Sequence, residues 1–159
     1  MNVTVLGAGA WGTALGKVLH ENGNRVTLWD IDAATLDQLR GGHSERYLPG
    51  VRLPTDWKVE TDFDKAIGGR ECLVLAIPSQ SFRKVAVKLK GHPATLVSVT
   101  KGIEFESGET MSQILREQDG VVLRGVGLSA NDLSALHGAW DRLRNRRQRN
   151  SGSADDQVA

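Results

Sequence analysis

Gly7, Gly9 and Gly12 fall in the spacing G-x-G-x-x-G, within Gly7-Ala8-Gly9-Ala10-Trp11-Gly12. Glycines at those intervals suit a backbone that must approach a phosphate closely. Gly7 lets the chain turn sharply, Gly9 leaves room for a pyrophosphate, and Gly12 lets a following helix pack close to a sheet. That helix would point unpaired N–H groups and a partial positive charge at the bound phosphates. Asp30 lies eighteen positions past Gly12. Its carboxylate could accept hydrogen bonds from both hydroxyls of a ribose and would repel a 2′-phosphate. Lys101 offers an ammonium that could polarise a carbonyl or hold an anionic substrate. The plain alternatives are an ordinary tight turn, a helix-capping acid and a solvated lysine, and only context separates them.

The context is a strand before the glycines and an amphipathic helix after them. Val3, Val5 and Leu6 form a short apolar run that predicts a strand. Trp11, Leu15, Val18 and Leu19 then recur at i, i+4, i+7 and i+8, one stripe of a helix. Asn22-Gly23-Asn24 stops it, with Gly23 suited to the left-handed cap. Arg25-Val26-Thr27-Leu28-Trp29 predicts a second, parallel strand that delivers Asp30. Asp32 is the natural cap of a helix over 33–39, ended by Gly41-Gly42. An irregular stretch to about Trp57 holds a tethered loop, 47–54, with Tyr47 as its aromatic anchor.

Lys58-Val59-Glu60 predicts a third strand, and Asp62 caps a brief helix, Phe63–Ile67, closed by Gly68-Gly69. The run 71–77 is apolar in succession from Cys72 onward, as expected for a strand covered on both faces, and ends at Pro78. A helix runs from Ser79 to about Leu89, a fifth strand spans 95–99, and a short helix spans 107–116. The carboxyl ends of strands one, two, four and five thus carry the glycine loop, Asp30, Pro78-Ser79 and Lys101. Ligands of open parallel sheets bind outside those ends, which points to a nicotinamide-type site. The expected fold class is α/β, a Rossmann-type doubly wound parallel sheet in a single domain over 1–125. Its last strand is expected to be missing or poorly formed, with 120–125 as the candidate.

Composition adds bounds. The 159 residues suffice for one good core, and a net charge of +1 predicts neither a nucleic-acid partner nor a membrane surface. No apolar run approaches the roughly 18 to 20 residues of a membrane span, and the apolar start reads as a strand rather than a signal. Cys72 is the only cysteine and sits in a buried strand, so it reads as a small core residue in a reducing, cytoplasmic setting. His20, His43, His92 and His137 share no metal-ligand spacing, and no metal is expected.

Four ordered motifs carry a resemblance. They are the glycine loop through Leu15, the 47–54 loop, Ile77-Pro78-Ser79-Gln80-Ser81-Phe82-Arg83, and Ser98-Val99-Thr100-Lys101-Gly102-Ile103-Glu104. In order and spacing they resemble the bacterial NAD(P)-dependent glycerol-3-phosphate dehydrogenases, over residues 1 to about 118. The resemblance implies hydride transfer between a nicotinamide and dihydroxyacetone phosphate or sn-glycerol 3-phosphate, in supply of glycerophospholipid precursors. It implies that Ala10, Trp11 and Gly12 line the pyrophosphate and that Asp30 and Ile31 flank the adenosine ribose. Tyr47 and Phe82 would pack near the cofactor, and Lys101 would contact cofactor and substrate. The acid at Asp30 favours NAD over NADP.

By the same resemblance a helical catalytic domain, with its acid/base lysine and phosphate grip, is absent. The expectation is a chain that binds NAD and turns over slowly or not at all, or alternatively a stand-alone NAD-binding sensor or partner module. A homodimer is allowed, because apolar surface would be exposed where a second domain would sit. Residues 126–159 read as an atypical tail, largely disordered from about 140. There Arg142, Arg144, Arg146, Arg147 and Arg149 crowd together, as after a reading-frame slip or, alternatively, in a basic nucleic-acid arm.

Overall fold

Val3, Val5 and Leu6 are fully buried, and with Thr4 between them they form the central strand β1 (Asn2–Leu6). The computed structural model describes residues 1–118 and the backbone of 122–124. The remaining elements in chain order are α1 (Ala10–Glu21), β2 (Arg25–Trp29), α2 (Ala33–Arg40), β3 (Lys58–Glu60), α3 (Phe63–Ile67) and β4 (Cys72–Leu75). They are followed by α4 (Ser79–Ala86), β5 (Thr95–Ser98), α5 (Met111–Arg116) and β6 (Val122–Arg124). All strand pairs are parallel, and the sheet order is β3-β2-β1-β4-β5-β6. This is the doubly wound order, which reverses direction between β1 and β4.

The period of two along each strand divides the core. Leu6, Trp29, Leu73 and Leu75 bury with Phe82, Leu89, Ile114 and Leu115. On α1, Gly16 comes so close to β2 that an added Cβ would stand 2.9 Å from the Leu28 side chain. Cys72 is 1% exposed, and burial pushes its thiol up to about 12, so it is an inert core residue. Caps fall where the sequence placed them: Asp32 accepts from the Ala34 N–H at 3.1 Å and Asp62 from that of Lys65 at 3.1 Å. Gly23 has φ +79°, the left-handed conformation expected of it.

Three boundaries differ from expectation. The strand ending at Pro78 stops at Leu75, and the chain leaves the sheet after the Ala76 N–H donates to the Leu6 carbonyl at 2.8 Å. The helix from Ser79 ends at Ala86 and tightens into a 3₁₀ turn, Val87–Leu89. The helix expected over 107–116 begins only at Met111, where Thr110 and Gln113 form a reciprocal capping box. Residues 104–109 form a turn instead, with the Glu104 N–H donating to the Glu109 carbonyl at 2.7 Å and Gly108 at φ +71°.

The last strand is present rather than missing: Val122, Leu123 and Arg124 pair in register with Leu96, Val97 and Ser98. All the described elements belong to one compact unit, Met1–Val126. The expected 126–159 tail, with its arginine cluster, lies outside the described residues. Among the described residues no helix is long and apolar enough to cross a membrane.

Candidate functional site

The loop after β1 is fixed by hydrogen bonds to its own backbone. Gly7 donates its N–H to the Trp29 carbonyl at 2.8 Å, so the chain leaves β1 still tied to β2. Ala8 is held from both sides. Its N–H donates to Asp30 Oδ2 at 2.7 Å, and its carbonyl accepts from the buried Thr13 hydroxyl at 2.9 Å. Gly7 has φ +106°, and a Cβ there would stand 2.5 Å from the Ala76 carbonyl oxygen. At Gly12 a Cβ would fall 1.8 Å from the Gly7 oxygen, so only glycine lets α1 begin this close to β1.

Gly9 is different. A Cβ there would meet nothing within 4 Å. It caps α1 without offering a side chain, so the first-turn amides remain available to a ligand. That opening belongs to a cleft of about 690 Å³ outside the carboxyl ends of β1 and β4, within the usual span of ~300–1,000 Å³ for cofactor sites. Gly7, Gly9, Ala10 and Trp11 form one wall, and Ala76, Ile77, Pro78 and the start of α4 form the other.

Asp30, Ile31 and Tyr47 line one end, and Thr100 and Lys101 also line the cleft. Ile31 is 86% exposed. The Arg46 guanidinium stands over the Tyr47 ring at 5.1 Å. Asp30 Oδ1 also accepts from the Asp32 N–H at 3.0 Å, so both carboxylate oxygens are engaged by backbone. Thr35's hydroxyl, foremost, with backbone N–H groups of the same turn, holds the Asp32 carboxyl below its ordinary range.

Of the residues singled out in the sequence, Gly7, Gly9, Ala10, Trp11, Asp30, Ile31, Tyr47, Pro78 and Lys101 share the cleft lining. Two do not. Gly12 is buried beneath the loop, and Phe82 is fully buried among Leu75, Leu89 and Ile114 on the underside of α4. Its ring has no exposed surface and supports the wall from behind. Sequence reasoning missed Trp29, which lines the cleft and donates its indole N–H to the Thr61 carbonyl at 3.0 Å. It also missed Thr100, whose hydroxyl donates to the Ile77 carbonyl at 2.7 Å. Among the described residues no group of three His, Cys, Asp or Glu side chains could hold a metal ion.

Beyond Lys101 the chain closes into a turn gripped by Arg83 of α4. The guanidinium Nε donates to both Glu104 oxygens at 2.9 Å, Nη1 to Glu117 at 2.6 Å, and Nη2 to Glu109. Ser107's hydroxyl, donating at 2.6 Å, and then Arg83 hold the Glu104 carboxyl below its ordinary value of 4.5. A carboxylate lowered on folding stabilises the fold above its unfolded pKa, and the gain disappears as pH falls through the folded value. Glu104→Gln is therefore expected to lower Tm at neutral pH. The gap from the unaltered chain should close as pH drops below 4.5, which thermal unfolding across that range would measure.

Comparison with known proteins places this arrangement. The family model described as NAD-dependent glycerol-3-phosphate dehydrogenase N-terminus matches residues 2–129. A glycerol-3-phosphate dehydrogenase [NAD(P)+] of Anaeromyxobacter dehalogenans is 44% identical over 121 residues, 74% of this chain and 36% of the relative. One from Geobacillus thermodenitrificans is 41% identical over 134 residues, 78% of this chain and 39% of the relative. The crystal structure of a Coxiella burnetii glycerol-3-phosphate dehydrogenase aligns with a TM-score of 0.69 at 29% identity, covering 79% of this chain and 39% of that one. The chain thus spans well under half the length of these relatives.

Proposed function

Because the chain belongs to the NAD-dependent glycerol-3-phosphate dehydrogenase family, matching its N-terminal part, we propose that its cleft binds NAD(H). In this reading it is the cofactor half of an oxidoreductase that interconverts dihydroxyacetone phosphate and sn-glycerol 3-phosphate. The observation that carries the reading is the preformed loop over α1. Ala8 is tied on both sides, Gly9 is open, and the first-turn amides are uncapped at the switch point of the sheet. The nicotinamide supplies or takes the hydride when bound.

The chain's own residues bind and orient. Gly7, Gly9, Ala10 and Trp11 would hold the diphosphate, with Gly12 keeping the loop against the sheet. Asp30 would accept from the ribose hydroxyls, and Ile31 and Tyr47 would border the adenosine. Pro78 would face the nicotinamide side, with Phe82 supporting that wall from within the core. Lys101 would contact cofactor and substrate. The negative charge at Asp30 favours NAD over NADP. A cytoplasmic setting, glycerophospholipid supply and a homodimer belong to the same proposal.

Lys101 is the only basic side chain among the described residues of the cleft lining. One ammonium cannot both neutralise a phosphate dianion and exchange a proton with the reacting oxygen. General acid–base help is worth about 10²–10⁴ in rate. Against a typical kcat of about 10 s⁻¹, the purified chain is expected to oxidise NADH with dihydroxyacetone phosphate at below about 0.1 s⁻¹. Turnover near ordinary rates would contradict the assignment of a single functional ammonium.

A further inference from the structure

Lys101 stands between two fixed points, and the second of them has no role in the reading above. Upstream, Thr100 ties the chain to the end of β4 through the Ile77 carbonyl at 2.7 Å and the Leu75 carbonyl at 3.3 Å. Downstream, Gly102 turns at φ +107°, and Glu104, with its side chain 15% exposed, is gripped by Arg83 through three contacts of 2.9 Å. The turn is closed on itself by an antiparallel bridge between Ile103 and Thr110 and by Ser107 donating to Glu104. Arg83 also holds Glu109 inside the turn and Glu117 at the end of α5.

One guanidinium thus faces three carboxylates from two separate segments, and only Arg has the rigid fork of donors that can serve all three. Its helix, α4, contributes Ser79, Gln80 and Ser81 to the cleft wall. The clamp therefore links the wall of the cleft to the loop that carries Lys101. Such a network exceeds what solubility or a single exposed ion pair would require.

We infer that Arg83 is a positioning residue for Lys101: by clamping Glu104 to α4 it fixes the downstream end of the loop and so holds the ammonium at the cleft. The inference rests on the reading of Lys101 as a contact of the bound dinucleotide. Arg83 touches no ligand itself. Its loss leaves the downstream end held to the core only through the Ile103–Thr110 bridge and α5, with no direct tie to the cleft wall, and a lysine on a loop so loosened spends less time where a ligand needs it.

The test is a double-mutant cycle on the full chain, read as the NADH dissociation constant. Lys101→Ala alone is expected to weaken binding about tenfold, the range of a charge-assisted contact. Arg83→Ala alone is expected to weaken it about fivefold, and in the Lys101→Ala background by less than twofold, because its effect passes through the missing ammonium. Glu104→Gln, which keeps the shape and weakens the clamp, follows the same pattern and stands in should Arg83→Ala not fold. Equal losses in both backgrounds overturn the inference and make Arg83 merely structural. NADH binding with no effect of Lys101→Ala overturns both the Lys101 assignment and the inference, while leaving the cleft. An unaltered, folded chain that ignores NADH overturns the cleft reading itself.

Discussion

Gly12→Ala is expected to abolish measurable NADH binding and to destabilise the fold by roughly 2 kcal/mol or more, at the upper end of overpacking costs. The Cβ would lie 1.8 Å from the Gly7 carbonyl oxygen and 3.3 Å from the Ala76 side chain. The first of these is backbone and cannot rotate away. Either α1 lifts from the sheet or the loop after β1 moves, and both displace the amides around Gly9. An affinity loss of at least about a hundredfold, some 2.7 kcal/mol, follows from losing several amide contacts at once. Thermal unfolding and an NADH titration on the same sample check both parts. Gly9→Ala is the control: a Cβ there meets nothing within 4 Å. The fold should be unaffected, while the ligand finds its space taken.

The second large effect concerns Asp30, whose two oxygens already accept from Ala8 and Asp32. The unaltered chain should bind NADH more tightly than NADPH, and Asp30→Asn should narrow the gap by about tenfold or more. Removing the charge relieves repulsion of a 2′-phosphate and weakens the hold on the ribose hydroxyls, each worth about 1.5–3 kcal/mol. An asparagine oxygen can still accept from the Ala8 N–H. Asp30→Ala cannot, so it should weaken both dinucleotides together. Competitive titration of the two cofactors against each variant separates the electrostatic role from the loop-holding one. Equal affinities for NADH and NADPH in the unaltered chain would contradict the assignment.

Local chemistry explains what the sequence made legible. β-branched and apolar runs marked five strands at or within a few residues of their true ends, because a sheet covered on both faces needs them there. Asp32 and Asp62 announced their caps, since a short acid before a helix has few other uses. The cleft was legible too, as parallel strands must deliver their carboxyl-end residues to one edge.

What stayed hidden depends on long-range partners. That Asp30 reaches back to Ala8, or that Thr100 crosses to Ile77, follows from register between strands, which no local pattern encodes. The end of the turn, from Ser107, looked like the start of a helix because the turn's stabilising residue, Arg83, lies more than twenty positions away. Phe82 is part of a motif in the sequence, yet the helical period turns it into the core while its neighbours Gln80 and Ser81 face the cleft.

The central claim is that the preorganised loop between β1 and α1 holds the diphosphate of a nicotinamide dinucleotide. Isothermal titration of NADH into the folded, unaltered chain tests it most directly. A single saturable site with a dissociation constant below about 1 mM is predicted, equivalent to at least about 4 kcal/mol of binding. A chain that unfolds cooperatively, and so is native, yet gives no binding heat for NADH or NAD up to millimolar ligand would contradict it.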